Sequence, residues 1–291
     1  MKQIIKYALP GFLVLSIIVA CEKEYETIDV IDDRNVEAYI KQNNLNVQEY
    51  QDSGVYYQVV SPGTGAETKY SDKMPLIFTI RSLDGKYVAI DTFNTGNRYY
   101  NYLGYFNPEA VRTGIKEVLK KSGGTLRMVI PSRLAFGRNG VGSIPGNASL
   151  DLVVKVMEES KIPQYDDFTI NKYMELNALT GFTKTTNGLY YKIDQPGTGS
   201  PITVDSTIVA EFTGKLFNGT VFDRAVAGSG ATLKVSTLIK GWQQTMPLIK
   251  QGGSVRMLIP SALAYGMDGS SGAIPPFSCL DFAVKVTDVT P

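Results

Sequence analysis

The run Thr207-Ile208-Val209-Ala210-Glu211-Phe212 mixes β-branched and large apolar residues. Ser254-Val255-Arg256-Met257-Leu258-Ile259 does the same, and residues 280–286 alternate apolar and polar positions around Asp281 and Lys285. Patterns of this length and period predict strands of an antiparallel sheet with one covered face. Between them, residues 241–250 are the only helix candidate of that half. Pro247 weakens the turn ahead of it, while Met246, Leu248 and Ile249 can still pack on the sheet. Short polar helix patterns over 33–45 and 167–179 stand 134 residues apart (167 − 33). Lys161-Ile162-Pro163-Gln164 reads as a break before the second, because proline disfavours helix at the residue preceding it.

That spacing belongs to a longer repeat. Gly54-Val55-Tyr56-Tyr57 matches Gly188-Leu189-Tyr190-Tyr191, and Pro62-Gly63-Thr64-Gly65 matches Pro196-Gly197-Thr198-Gly199, both at the same offset of 134 (188 − 54, 196 − 62). Phe78/Phe212 and Gly85/Gly219 keep the register, but at Gly123/Gly252 and Phe136/Tyr265 the offset is 129 (252 − 123, 265 − 136). The first copy therefore holds five extra residues between 86 and 122, where the second copy has its Trp. A unit this long is a duplicated globular domain rather than a solenoid repeat, and 291 residues suit two such domains.

Composition narrows the chemistry. There are 29 basic and 28 acidic residues; without Lys2 and Lys6 the basic count is 27 (29 − 2), so no basic field for nucleic acid exists. The absence of His excludes His-based triads, His metal sites and imidazole relays. No metal and no cofactor is expected. Cys279 stands alone in an apolar stretch and reads as a small buried filler.

The N-terminus reads as an address. Lys2 and Lys6 form a basic region, and residues 7–20 an apolar one broken by Pro10, short for a bilayer span. Ile18-Val19-Ala20-Cys21 resembles a bacterial lipobox, which implies a signal peptide over 1–20 and lipidation of Cys21, hence a membrane anchor of more than one acyl chain. The acidic run Glu22-Lys23-Glu24-Tyr25-Glu26 lies in a polar tether over 21–32. It resembles short export tags of surface lipoproteins and equally reads as a solvated linker.

Six segments of the second copy carry the strongest signal: Phe212-Thr213-Gly214, Gly219-Thr220-Val221-Phe222-Asp223, Leu238-Ile239-Lys240-Gly241-Trp242, Ala264-Tyr265-Gly266, Ile274-Pro275-Pro276 and Leu280-Asp281-Phe282. In this order they resemble the FKBP-type peptidyl-prolyl cis–trans isomerases. The resemblance implies an α+β fold of two FKBP-like domains, each a bent antiparallel sheet wrapped on a short helix and preceded by a leader helix. The first spans 33–160 and the second 161–291. It also implies an apolar pocket for proline with Trp242 as floor, Phe212, Phe222 and Phe282 as aromatic walls, and Tyr265 offering its hydroxyl to a substrate carbonyl. Asp223 would orient the pocket by hydrogen bonding. Leu238, Ile239, with its backbone N–H as donor, and Ile274 would contact the peptide. Taken singly, Phe212, Phe222 and Phe282 read as core, Trp242 as a core residue that fills volume, and Tyr265 as a surface tyrosine capping the turn before Gly266. The chain departs from the family at Ala231, where an aromatic is common, and at Ser270 and Ser271.

The first copy keeps Phe78 but has Phe136 for Tyr265 and Leu152 for Phe282, and its loop reads Ser143-Ile144-Pro145-Gly146. The segment around Thr113 and Gly114 offers no aromatic floor, and either Ala89 or Asp91 stands where the second copy has Asp223. This copy reads as non-catalytic. Its insert contains the run Arg98-Tyr99-Tyr100-Asn101-Tyr102-Leu103-Gly104-Tyr105-Phe106, either a repacked flap and hydrophobic plug or a surface for unfolded chains, glycan or a partner protein, since aromatic residues enrich both. Two functions follow: a lipid-anchored isomerase of the cell envelope, periplasmic or surface-exposed, acting on proline-containing exported polypeptides, or a non-enzymatic surface lipoprotein that binds protein or glycan through both scaffolds.

Overall fold

The computed structural model describes residues 26–89, 97–270 and 272–290; the lipobox and Cys21 lie outside them. Helix α1 (Ile28–Gln42) precedes strands β1 (Gln48–Glu49), β2 (Tyr56–Ser61), β3 (Lys73–Ser82), β4 (Val88–Ala89) and β5 (Arg98–Tyr102). Helix α2 (Glu109–Thr113) and strands β6 (Thr125–Ile130) and β7 (Leu150–Val156) complete the first unit. The second repeats the order with α3 (Ile162–Leu176), β8 (Thr183–Lys184), β9 (Tyr190–Gln195), β10 (Thr207–Leu216), β11 (Val221–Ala225), β12 (Ala231–Lys234), α4 (Lys240–Thr245), β13 (Ser254–Ile259) and β14 (Leu280–Thr290).

The described strands form two antiparallel sheets of the same order, β1-β2-β6-β7-β3-β4 with β5 on β3, and β8-β9-β13-β14-β10-β11 with β12 on β10. In β10 the residues alternate strictly: Ile208, Ala210, Phe212 and Gly214 are buried, and their neighbours are more open. That inward face packs on α4 in one cluster with Trp242, Met246, Phe282, Val284 and Val286. The first unit packs Leu76, Phe78, Val111, Ile115, Leu152 and Val154 in the equivalent cluster.

Three helices differ in their bounds from the pattern-based expectation. Helices α1 and α3 each begin five residues ahead of 33 and 167, again 134 apart (162 − 28). Pro163 is in the first turn of α3 instead of marking a break, a place where its missing N–H costs nothing. The α4 helix stops at Thr245, and Pro247 falls in a separate 3₁₀ turn, Met246–Leu248, because proline cannot donate the helical bond at that position.

Each long helix is pinned by a buried aspartate. Asp32 accepts hydrogen bonds from Ser132 Oγ (2.9 Å), Arg133 N (3.0 Å) and Ser149 Oγ (3.1 Å). Asp166 accepts from Ser261 N (2.8 Å) and Ser261 Oγ (2.6 Å). Two turns further on, Tyr39 donates to Asp151 and Tyr173 to Asp281, each at 2.8 Å, and these carboxylates also receive Arg127 and Arg256. Both helices are thus held to their sheets by equivalent contacts.

Candidate functional site

Strand pairing builds the site. Register sets Gly214 opposite Asp223 on one side and opposite Phe282 on the other. A Cβ on Gly214 would lie 2.6 Å from Phe282 Cε1 and 2.8 Å from Phe222 Cζ, so two aromatic rings occupy the volume a side chain would take. Phe222 and Phe282 meet edge to face, with centroids 5.5 Å apart at 84°. Trp242 lies edge-on to Phe212 (5.4 Å, 88°) and to Phe282 (5.4 Å, 86°). Such T-shaped contacts set the positive ring edge of one partner on the negative face of the other and hold the rings at fixed angles.

Trp242 reaches this place because α4 crosses the sheet closely. A Cβ at Gly241 would fall 2.7 Å from Ile259 Cγ2, so only glycine lets the helix sit there. The loop ahead of the helix is held by Gln243, whose Nε2 donates to the carbonyls of Leu238 (2.7 Å) and Ser236 (3.0 Å), and by Trp242 N–H donating to Ile239 O (3.0 Å). Among the described residues the Ile239 N–H has no partner, which leaves it open to a ligand carbonyl. Ile274, buried, belongs to the same cluster; Leu238, Ile239 and Phe222 flank it half-buried.

The structure therefore brings together Phe212, Phe222, Leu238, Ile239, Trp242, Ile274 and Phe282 in one apolar cluster. Tyr265 is outside that cluster and 40% exposed; burial, and secondarily the charge of Asp223, push its phenol above the usual tyrosine value, so it is a protonated donor at neutral pH. Asp223 is exposed and its carboxylate makes no hydrogen bond among the described residues, where an orienting bond was expected; β11 is an edge strand, with Phe222 half-buried beside it. Sequence reading gave no role to Gly214 or Gln243. Gly214 stands within a recognised segment, whereas nothing in the linear pattern distinguishes Gln243.

The same pairings resolve the first copy. Ile80 sits opposite Ala89 and Leu152, as Gly214 sits opposite Asp223 and Phe282, so Ala89 takes the place of Asp223. Asp91 lies outside the described residues. Tyr99 pairs with Leu76 as Ala231 pairs with Ala210, at an offset of 132 (231 − 99). The aromatic run is thus the counterpart of residues 230–238 and not an inserted segment. The offset falls to 131 at the helix start (240 − 109) and 129 at the next strand (254 − 125). Two of the extra residues therefore lie between Ala89 and Tyr99, one ahead of α2, and two in the π-helical turn Gly114–Leu119 that follows it. Counted from the helix start, Val111 holds the rank of Trp242, and it is fully buried. Leu103 and Phe106 are buried beside it, with Phe106 6.1 Å from Phe78, while Tyr99, Tyr102 and Tyr105 remain exposed.

Residues 199–287 match the family model described as FKBP-type peptidyl-prolyl cis-trans isomerase. The match lies wholly within the second unit. A probable FKBP-type peptidyl-prolyl cis-trans isomerase of Haemophilus influenzae is 42% identical over 108 residues, 37% of this chain and 45% of that protein. The FKBP-type 22 kDa isomerase of Escherichia coli is 38% identical over 120 residues, covering 40% and 58% respectively. The outer membrane protein MIP of Legionella longbeachae is 37% identical over 110 residues, covering 38% and 47%. The chain spans about half the length of these relatives.

Proposed function

We propose that the chain is a prolyl cis–trans isomerase of the cell envelope, with catalysis in the second unit, from about residue 161, and a first unit without catalytic chemistry. The observation that carries this reading is the aromatic box of Phe212, Phe222, Trp242 and Phe282 around a glycine, with a free backbone donor at Ile239. Rotation about an X–Pro bond faces about 18–20 kcal/mol because it breaks amide resonance. A pocket that excludes water from the prolyl ring and amide favours the twisted state, whose weaker resonance leaves its carbonyl less polarised. Trp242 is the floor, Phe212 and Phe282 are walls, and Phe222 closes the side. Ile239 N–H and the Tyr265 hydroxyl hold the peptide carbonyls, and Leu238 and Ile274 contact the flanking residues. Asp223 acts on the site by its field rather than by a fixed bond. Lowering the barrier by about 5 kcal/mol accelerates exchange several thousandfold, with no nucleophile or metal required.

Lipidation at Cys21 would anchor the enzyme to the outer membrane, where proline-containing exported chains are the substrates. The lipobox-like Ile18-Val19-Ala20-Cys21 supports this, as does the name of the Legionella relative.

A protease-coupled assay on an Xaa-Pro peptide tests the reading. The wild type should accelerate isomerisation, and Trp242→Ala should lower kcat/KM at least about tenfold. Because deleting a buried Trp costs about 3–5 kcal/mol of stability, the assay is run where circular dichroism shows the variant folded. Asp223→Ala should lose only a few-fold. Equal rates in wild type and Trp242→Ala would sink the proposal.

A further inference from the structure

The segment that carries Ile274 is built differently in the two units. In the first it reads Ile144-Pro145-Gly146-Asn147, and Asn147 takes a left-handed backbone (φ 56°) while donating its N–H to Gly137 O at 2.8 Å. In the second it reads Ile274-Pro275-Pro276-Phe277, with the same closure, Phe277 N–H to Gly266 O at 3.0 Å, and the same left-handed backbone (φ 38°). Asparagine tolerates that region; phenylalanine is rare there and persists only where its surroundings enforce it.

Part of the surroundings that enforce it comes from the other unit. The Phe277 ring is completely buried in a cluster with Ile77 and Met157 of the first unit and Ile162 of α3, with Tyr165 and Met267 packed against it. Arg98, at the start of β5 in the first unit and 6% exposed, donates from Nη1 to the Phe277 carbonyl at 2.9 Å and has its guanidinium 5.6 Å from the Phe277 ring and 5.0 Å from that of Tyr165. A buried guanidinium is costly to desolvate, and its planar fork fixes the acceptor it bonds. By the pairing register Arg98 corresponds to Gly230, so the second unit holds no counterpart of this contact. An exposed ion pair, Lys73 to Asp268, joins the same two surfaces.

We propose that the first unit is a positioning element for the pocket of the second: Arg98 and the seat of Phe277 hold residues 274–277, and so keep Ile274 at the pocket rim. This rests on the isomerase reading above. Arg98 is a positioning residue, since it touches the loop and not the substrate. The arrangement also accounts for a first unit with no catalytic aromatic set but a fully packed core.

The test uses the full chain. Arg98→Met removes the donor, Arg98→Lys keeps a cation able to reach the carbonyl, and Phe277→Asn supplies the residue that the first unit uses at this position. Amide hydrogen exchange should quicken at least about tenfold at Ile274 and Phe277 in Arg98→Met and Phe277→Asn, with the β10–β14 ladder unchanged. KM for an Xaa-Pro peptide should rise about five- to tenfold in both while kcat stays within about twofold, and Arg98→Lys should recover part of each change. Wild-type exchange at those amides in both variants overturns the proposal. So does faster exchange with an unchanged KM, because the seat would then not reach the pocket, and so does a raised KM without faster exchange. If the wild type shows no isomerase activity, the functional reading falls, and exchange alone still decides whether the first unit holds the loop.

Discussion

One hairpin distinguishes the two units. In the second, Gly214 lies between Asp223 and Phe282 with two phenyl rings over its Cα; in the first, Ile80 lies between Ala89 and Leu152. Sheet order, helix clamp and arginine–aspartate pair are the same in both units. A scaffold is therefore kept by hydrogen bonding and strand register, whereas a pocket depends on which residue is absent from one inward position. A branched side chain at that position fills the space the aromatic rings would line, and Val111 in place of Trp242 then completes an ordinary core.

The sharpest way to break this comparison is to give the second unit the residue of the first. Gly214→Ile should cut kcat/KM by at least about 100-fold, since Phe222 and Phe282 must move by more than a rotamer adjustment permits. Overpacking of this kind costs about 1–3 kcal/mol, so thermal unfolding should still show a folded protein. Adding Ile80→Gly should restore nothing, because no ring waits at Val111 or Leu152. A double variant with recovered activity would place the catalytic difference elsewhere.

The duplication itself was legible from matched glycines and Tyr-Tyr pairs at one offset, and the residues that form the aromatic cluster of the second unit were singled out by the six segments that resemble the FKBP-type isomerases. The position of the extra residues was not. Sequence offsets locate five residues between two matched points, but only pairing shows that they are split among the stretch between β4 and β5, a helix entry and a π-helical turn. Hence Arg98-Tyr99-Tyr100 looked inserted when it is a substituted β-strand. The role of Phe277 was equally hidden, since its burial comes from residues about 120 to 200 positions away in the chain. Local periodicity carries no such information.

The helix clamps give a smaller, stability-based contrast. Asp32→Ala strands three donors and should destabilise by about 2–4 kcal/mol, read as a lowered midpoint in urea. Asp166→Asn should stay within about 1 kcal/mol at neutral pH, since the amide oxygen can still accept both Ser261 bonds. Burial raises the Asp166 carboxyl above its ordinary value, against the opposing pull of Ser261 and Arg98. A carboxyl raised on folding binds its proton more tightly in the folded state, so its contribution favours folding at low pH and weakens as pH rises from about 4 through the folded value. Asp166→Asn should remove that part of the slope in denaturation midpoints recorded against pH. An unchanged slope would show that Asp166 is already ionised at no cost.

The finest distinction is a single oxygen. Phe136 of the first unit stands where the second has Tyr265, so Tyr265→Phe asks how much the hydroxyl contributes once the aromatic box is present. Tyr265 is half open to solvent and outside the packed cluster, and one hydrogen bond to a substrate carbonyl in that setting is worth about 0.5–1.5 kcal/mol, or a two- to tenfold fall in kcat/KM. The pH profile bears on the same oxygen. With no His in the chain and the phenol raised above its usual value by burial and by Asp223, the hydroxyl keeps its proton throughout the neutral range. kcat/KM should be flat from about pH 6 to 9 and fall only above about 10, and Tyr265→Phe should lose that alkaline limb while keeping the plateau shape. A bell centred near neutrality in the wild type would mean that proton transfer enters the reaction after all. Desolvation by Trp242 and its neighbours would then be an incomplete account of the pocket.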